Sequence, residues 1–98
     1  MRVGIYARVS TIDQQTLPMQ LKHMKEYIKN RKWTLISEFQ EIGSGAKTRP
    51  KREELLKMAR RREIDAILVW KLDRFGRSLA DLVTTLEELR GLEVVFVS

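Results

Sequence analysis

Ile64-Asp65-Ala66-Ile67-Leu68-Val69-Trp70 is the stretch that decides the fold. Every residue but Asp65 is apolar, and the run shows no alternation. Such a run reads as a strand buried on both faces, the centre of a parallel sheet. Val3 to Val9, near the start of the chain, is a second apolar, β-rich run of this kind. Between the two the period changes. Leu17, Leu21, Met24 and Ile28 recur at helical spacing, with Lys22, Lys25, Glu26 and Lys29 between them. Pro18 suits the first turn of that helix, where its missing N–H costs nothing.

The remaining segments fall into the same rhythm. Asp13 to Gln15 reads as a polar loop. Trp33 to Ile42 alternates weakly, with Leu35, Ser37, Phe39 and Glu41 set against Ile36, Glu38 and Gln40, and reads as an edge strand. Gly43 to Arg52 has two glycines and a basic end, and reads as a mobile surface loop. Glu53 to Arg62 is a short helix carrying Leu55, Leu56, Met58 and Ala59. Ser78 and Asp81 resemble a capping box. The helix behind them places Leu79, Leu82, Leu86 and Leu89 on one face, with Gly91 as its stop. Val94 to Val97 is the last strand. The order βαβαβαβ implies an α/β domain whose mainly parallel sheet is covered on both faces.

Ninety-eight residues make one modest domain, and a 43% hydrophobic fraction is enough for a core. The absence of cysteine excludes disulfides and thiolate metal sites. No apolar run approaches the roughly 18 residues of a membrane span, and no signal-peptide pattern precedes Val3. A cytoplasmic protein with no membrane partner is the expectation. Lys and Arg number 19 against 13 Asp and Glu, a net charge of +6, which favours a polyanionic partner, chiefly nucleic acid.

Two polar stretches follow the two apolar runs. Tyr6-Ala7-Arg8-Val9-Ser10-Thr11 closes the first, and Lys71-Leu72-Asp73-Arg74-Phe75-Gly76-Arg77 follows the second. In open parallel sheets, ligands bind beyond the carboxyl ends of the strands. If the two strands are neighbours, both stretches face one crevice. Arg8 and Ser10, two apart at a strand end, point the same way. A phosphodiester under attack gains negative charge on its non-bridging oxygens. Guanidinium forks match those oxygens and stay charged at any working pH. Ser10 supplies a hydroxyl, which needs its pKa lowered or its proton taken before it attacks. Asp73 orients an arginine or protonates the leaving oxygen. The pattern assigns no general base.

Together with Asp13-Gln14-Gln15, Gln20 and the Gly43-Ser44-Gly45 loop, these two motifs resemble the serine site-specific recombinases of the resolvase/invertase family, in order along essentially the whole chain. The resemblance implies a flavodoxin-like, resolvase-type four-stranded sheet of order 2-1-3-4. It implies that residues 1–98 are the catalytic domain, ending before a dimerisation helix and a DNA-recognition domain. It makes Ser10 the nucleophile on double-stranded DNA, giving a 5′-phosphoserine link and a free 3′-hydroxyl that later reseals the strand. Arg8, Arg74 and Arg77 match the family's motif arginines, and Asp73 its acidic partner. Arg49 matches a further active-site arginine, and Gln15 and Gln20 match supporting residues. No metal or other cofactor is implied. The full-length protein is expected to act as a homodimer and a synaptic homotetramer, with accessory DNA-bound proteins as possible partners, in resolution, inversion, transposition or integration. The isolated domain is expected to be inactive, with Ser10 and Arg49 poorly organised.

Two other classes compete: a nucleotide- or phospho-ligand-binding or regulatory module on the same scaffold, and a small-molecule phosphotransferase. Arg60-Arg61-Arg62 reads as a solvated helix end, His23 as an exposed histidine, and Trp33 and Trp70 as packing residues. Gly43 to Gly45 lacks the Gly-Lys-[Ser/Thr] ending of a phosphate-binding loop.

Overall fold

The structure, a computed structural model, describes residues 1–9, 12–42, 50–70 and 78–98. Their elements are β1 (Arg2–Val9), a 3-10 turn (Ile12–Thr16), α1 (Leu17–Asn30), β2 (Thr34–Ile42), α2 (Pro50–Arg60), β3 (Ala66–Trp70), α3 (Leu79–Gly91) and β4 (Val95–Val97). The strands form one parallel sheet in the order β2-β1-β3-β4, as the sequence predicts.

Alternation along β1 divides the core in two. Val3, Ile5, Ala7 and Val9 join Ala66 and Leu68 of β3 and pack on Leu17, Leu21, Met24 and Ile28 of α1. On the other face Tyr6, Ile67 and Val69 pack on Leu55, Leu56 and Ala59 of α2 and Leu89 of α3. One helix therefore covers one face and two cover the other. Fully burying an aliphatic side chain is worth about 1.5–3 kcal/mol, whereas an exposed ion pair gives about 0–1 kcal/mol. These two clusters, rather than the surface pairs, hold the layers together. Gly4 lets α2 approach: a Cβ there would stand 2.6 Å from Leu55 Cδ1 and 3.0 Å from Ser37 Oγ.

Several local readings need correction. Asp13 to Gln15 lie in the 3-10 turn, which runs directly into α1 with Pro18 at its first positions. The alternation along β2 is broken. Val3 pairs with Leu35 and Gly4 with Ser37, so Ile36 is an extra residue and Leu35 falls on the face opposite Ser37. α2 begins at Pro50 and not at Glu53, because proline's fixed φ suits a first helical turn. Lys51 and Arg52 are therefore helical. Leu79 is 77% exposed. The inward stripe of α3 begins at Leu82 and includes the buried Thr85.

Gly91 does not stop α3. It is the last helical residue, and the left-handed turn comes two residues later at Glu93, with φ 59°. All three helices end in this way, at Lys32 (φ 58°), Arg62 (φ 59°) and Glu93. In each case the left-handed residue donates its N–H three residues back and the next residue donates five back. The pairs are Lys32 to Lys29 and Trp33 to Ile28, Arg62 to Ala59 and Glu63 to Met58, Glu93 to Arg90 and Val94 to Leu89, all 2.9–3.1 Å. This is the Schellman pattern, built on charged residues where glycine is usual.

Candidate active site at the carboxyl end of the sheet

β1 and β3 are direct neighbours and parallel, in register from Val3 with Ala66 to Ala7 with Trp70. Their carboxyl ends therefore lie side by side at one end of the sheet. The Ser10 motif continues from one, and the Asp73-Arg74 motif from the other. β2 ends there too, with Glu41 opposite Arg8 and Ile42 opposite Val9.

Arg8 is only 7% exposed. Alternation aims it with Gly4 and Tyr6 toward the face covered by α2 and α3. Gln15 is exposed on the 3-10 turn, and Gln20 is partly buried on α1, which packs on the opposite face. Ser10, Arg49, Asp73, Arg74 and Arg77 lie outside the described residues, as does the expected poor organisation of Ser10 and Arg49.

A second group at this end escaped the sequence reading. Tyr6, 1% exposed, donates its hydroxyl to Glu41 Oε1 at 2.8 Å. The same oxygen accepts the backbone N–H of Arg52 at 3.3 Å. A carboxylate at a helix's first turn satisfies an otherwise orphaned donor and complements the helix dipole. The Arg52 guanidinium reaches Asp81 Oδ2 at 3.0 Å and Thr85 Oγ1 at 2.7 Å on α3. Asp81 in turn receives the N-cap bond expected of it, its N–H donating to Ser78 Oγ at 3.1 Å. One signal for Arg52 was present. Residues 52, 55, 56 and 59 share a helical face, and the last three are apolar.

Three further ion pairs among the described residues lie elsewhere. At the amino end of the sheet, Arg2 donates to Asp65 through its side chain and its backbone N–H, at 2.8–3.1 Å. These bonds hold the Asp65 carboxyl down at about 2. Lys25 holds the Glu38 carboxyl below its usual range, and Arg60 does the same for Glu88. Among the described residues, His23 is exposed. Trp33 meets Tyr27 edge-on at 5.9 Å, and Trp70 packs against the α1-side core. A surface groove of about 740 Å³ lies between α1 and β2, lined by Leu17, Pro18, Leu21 and Ile42 with Lys22 and Lys25. It is on the α1 side of the sheet, away from the face to which Arg8 points.

A family model, "Resolvase, N terminal domain", matches residues 3–98. The chain belongs to the resolvase N-terminal domain family. This resolvase-type domain is 39% identical to the transposon Tn552 DNA-invertase BinR of Staphylococcus aureus, across 100% of the chain and 46% of that protein. It is 40% identical to the transposon Tn3 resolvase of Escherichia coli, across 99% of the chain and 50% of that protein. The chain thus spans about half the length of the curated relatives it matches. Among solved structures it resembles the N-terminal catalytic domain of TP901-1 integrase, with TM-score 0.84 and 25% identity over 100% of this chain and 76% of that one. It also resembles the C-terminal catalytic domain of ISC1926 TnpA, an IS607-like serine recombinase. There the TM-score is 0.86 and the identity 26%, over 98% of this chain and 68% of that one.

Proposed function

We propose that this domain is the catalytic part of a DNA recombinase that cuts and rejoins strands through Ser10. The Ser10 oxygen attacks the phosphorus of a backbone phosphodiester and loses its proton. The bond to the 3′-oxygen breaks and that oxygen takes up a proton. The products are a 5′-phosphoserine link and a free 3′-hydroxyl. After the ends exchange, a 3′-hydroxyl attacks the phosphoserine and Ser10 is released. One P–O ester is exchanged for another at each step, so no nucleotide cofactor is consumed.

Arg8, Arg74 and Arg77 bind the non-bridging oxygens, Arg49 assists, and Asp73 orients an arginine or acts as the acid. Gln15 and Gln20 support the site. Preorganised donors of this kind contribute about 3–4 kcal/mol each to the transition state. One observation carries the reading: the pairing of Ala7 with Trp70 puts the two motif-bearing strand ends side by side, with Arg8 buried at that end.

The whole protein acts on double-stranded DNA in the cytoplasm, as a homodimer that pairs into a tetramer. The named relatives include a resolvase, an invertase and an integrase, and the proposal concerns the cleavage step itself. It is tested by incubating the full-length protein with duplexes from a randomised pool. A denaturation-resistant protein–DNA adduct, lost in Ser10→Ala while DNA retention persists, is expected. Normal adduct formation by Ser10→Ala refutes it.

A further inference from the structure

Arg52 is the most deeply buried charged side chain among the described residues, at 2% exposure. Its guanidinium joins α2 to α3 through Asp81 at 3.0 Å and Thr85 at 2.7 Å, and reaches Glu53 at 3.3 Å within its own helix. Its backbone N–H joins α2 to β2 through Glu41, and Glu41 is joined to β1 by the Tyr6 hydroxyl. Four elements thus meet through one residue. Stability alone gives no reason for this choice, because well-packed apolar side chains commonly replace a buried ion pair without loss. What an ionic and hydrogen-bonded junction adds is direction: each bond fixes an angle and a distance that apolar contact leaves loose.

Each of the four elements carries or adjoins in sequence a residue of the proposed chemistry or its strand partner. Tyr6 is two residues before Arg8, and Glu41 is the strand partner of Arg8. Arg52 is three residues after Arg49, and Asp81 is four after Arg77. We infer that Arg52 is a positioning residue, whose side chain and backbone N–H hold the first turns of α2 and α3 against the carboxyl ends of β1 and β2 and thereby set Arg8 for strand cleavage. This rests on the cleavage reading above. Arg52 touches no DNA in it and acts through Glu41, Tyr6 and Asp81.

The test uses the full-length protein and a duplex selected from a randomised pool by its retention on the wild type. The double variant Arg52→Met/Asp81→Leu removes both charges together, so neither is left buried alone. It is expected to melt near the wild type and to retain the duplex within about twofold, while single-turnover adduct formation at saturating DNA falls tenfold or more. A folded double variant that cleaves at the wild-type rate overturns the inference, since a purely structural role leaves the rate intact well below melting. If the double variant does not fold, Arg52→Lys decides. It keeps a charge but replaces the planar fork, one nitrogen on Glu53 and the other on both Asp81 and Thr85, by a single ammonium that cannot hold the same directions, and a loss of at least threefold at saturating DNA is expected. A wild-type rate, or failure of this variant to fold as well, assigns Arg52 to stability and overturns the inference. If the wild type itself forms no adduct, the cleavage reading fails, and the positioning claim is read from amide chemical shifts. Arg52→Lys then moves the amides of Tyr6 to Val9; shifts confined to α2 and α3 overturn it.

Discussion

Ala7 and Trp70 are register partners on adjacent parallel strands, although 63 positions separate them in the chain. Arg8 follows the first and is buried where the ladder ends. A side chain so placed has little freedom to lose on meeting a phosphate, so its charge is preorganised. Arg8→Ala in the full-length protein should lower the rate of adduct formation about 100- to 1,000-fold. Duplex affinity should change little, because surface lysines and arginines dominate the salt-dependent part of binding. Single-turnover cleavage alongside a retention assay checks both; a cleavage rate within threefold of wild type would remove Arg8 from the site.

Gly4 sets the distance between α2 and β1. Gly4→Ala places a methyl 2.6 Å from Leu55 Cδ1, and overpacking of this kind costs about 1–3 kcal/mol. Leu55→Ala alone should cost about 2–5 kcal/mol through the cavity it leaves. The pair should cost clearly less than the two single losses added, because the new methyl enters the space vacated by Leu55. Urea unfolding of the four proteins gives the coupling directly. Additive losses would show that the strand and helix do not meet at this point.

The three helix ends offer the opposite experiment. Lys32, Arg62 and Glu93 hold φ near +60°, where a β-carbon costs about 1–2 kcal/mol. Glycine removes that strain but gives back about 0.5–1 kcal/mol as unfolded-state entropy. Lys32→Gly and Glu93→Gly should each stabilise the domain by about 0.5–1 kcal/mol and add independently, since they lie on separate turns. Thermal melts check this. Destabilisation by either change would mean that the side chain, not the backbone, holds its turn.

Acid stability follows from the carboxylate pairs. The Asp65 carboxyl is held at about 2 by Arg2, below its usual value of 3.8. A depressed folded value means that the contribution is complete above the unfolded value and is lost as pH falls through the folded one. The stability difference between wild type and Arg2→Met should therefore be constant above about pH 5 and vanish between about pH 4 and 2. Glu38 and Glu88 are shifted in the same direction by Lys25 and Arg60, so the wild type itself loses stability over an overlapping acid range. Melting temperatures across that range, at low and high salt, test the sign. A difference that grows on acidification contradicts the assigned pairing.

The strands and the α1 face were legible because apolar side chains recur with the right periods, whereas the sheet order followed from the family resemblance. Leu17 to Ile28 and the two buried runs carry that signal without interruption. The cap at Ser78 was legible for a local reason, since the hydroxyl and the N–H it accepts lie three residues apart. What stayed hidden depends on partners distant in the chain. Leu35 and Ile36 are both apolar, so alternation could not reveal that one is an extra residue. Arg52 looked like part of a basic loop because the partners that justify its burial, Asp81 and Thr85, are some thirty positions away. The left-handed turns fall on Lys, Arg and Glu, residue types that give no warning of a positive φ. For the candidate site, the motifs nominated the residues, and the β1–β3 ladder accounts for why the two motif-bearing segments leave the sheet at the same end.

That ladder also constrains the order of events during synthesis. During synthesis the alcohol at position 10 leaves the ribosome first, and the cations at 74 and 77 arrive more than sixty residues later. The strands from which these two segments continue, Val3–Ala7 and Ala66–Trp70, can pair only after both have emerged. On the proposed function, a nascent or partly unfolded chain is unable to cleave, and a lesion that parts these two strands removes the activity along with the fold.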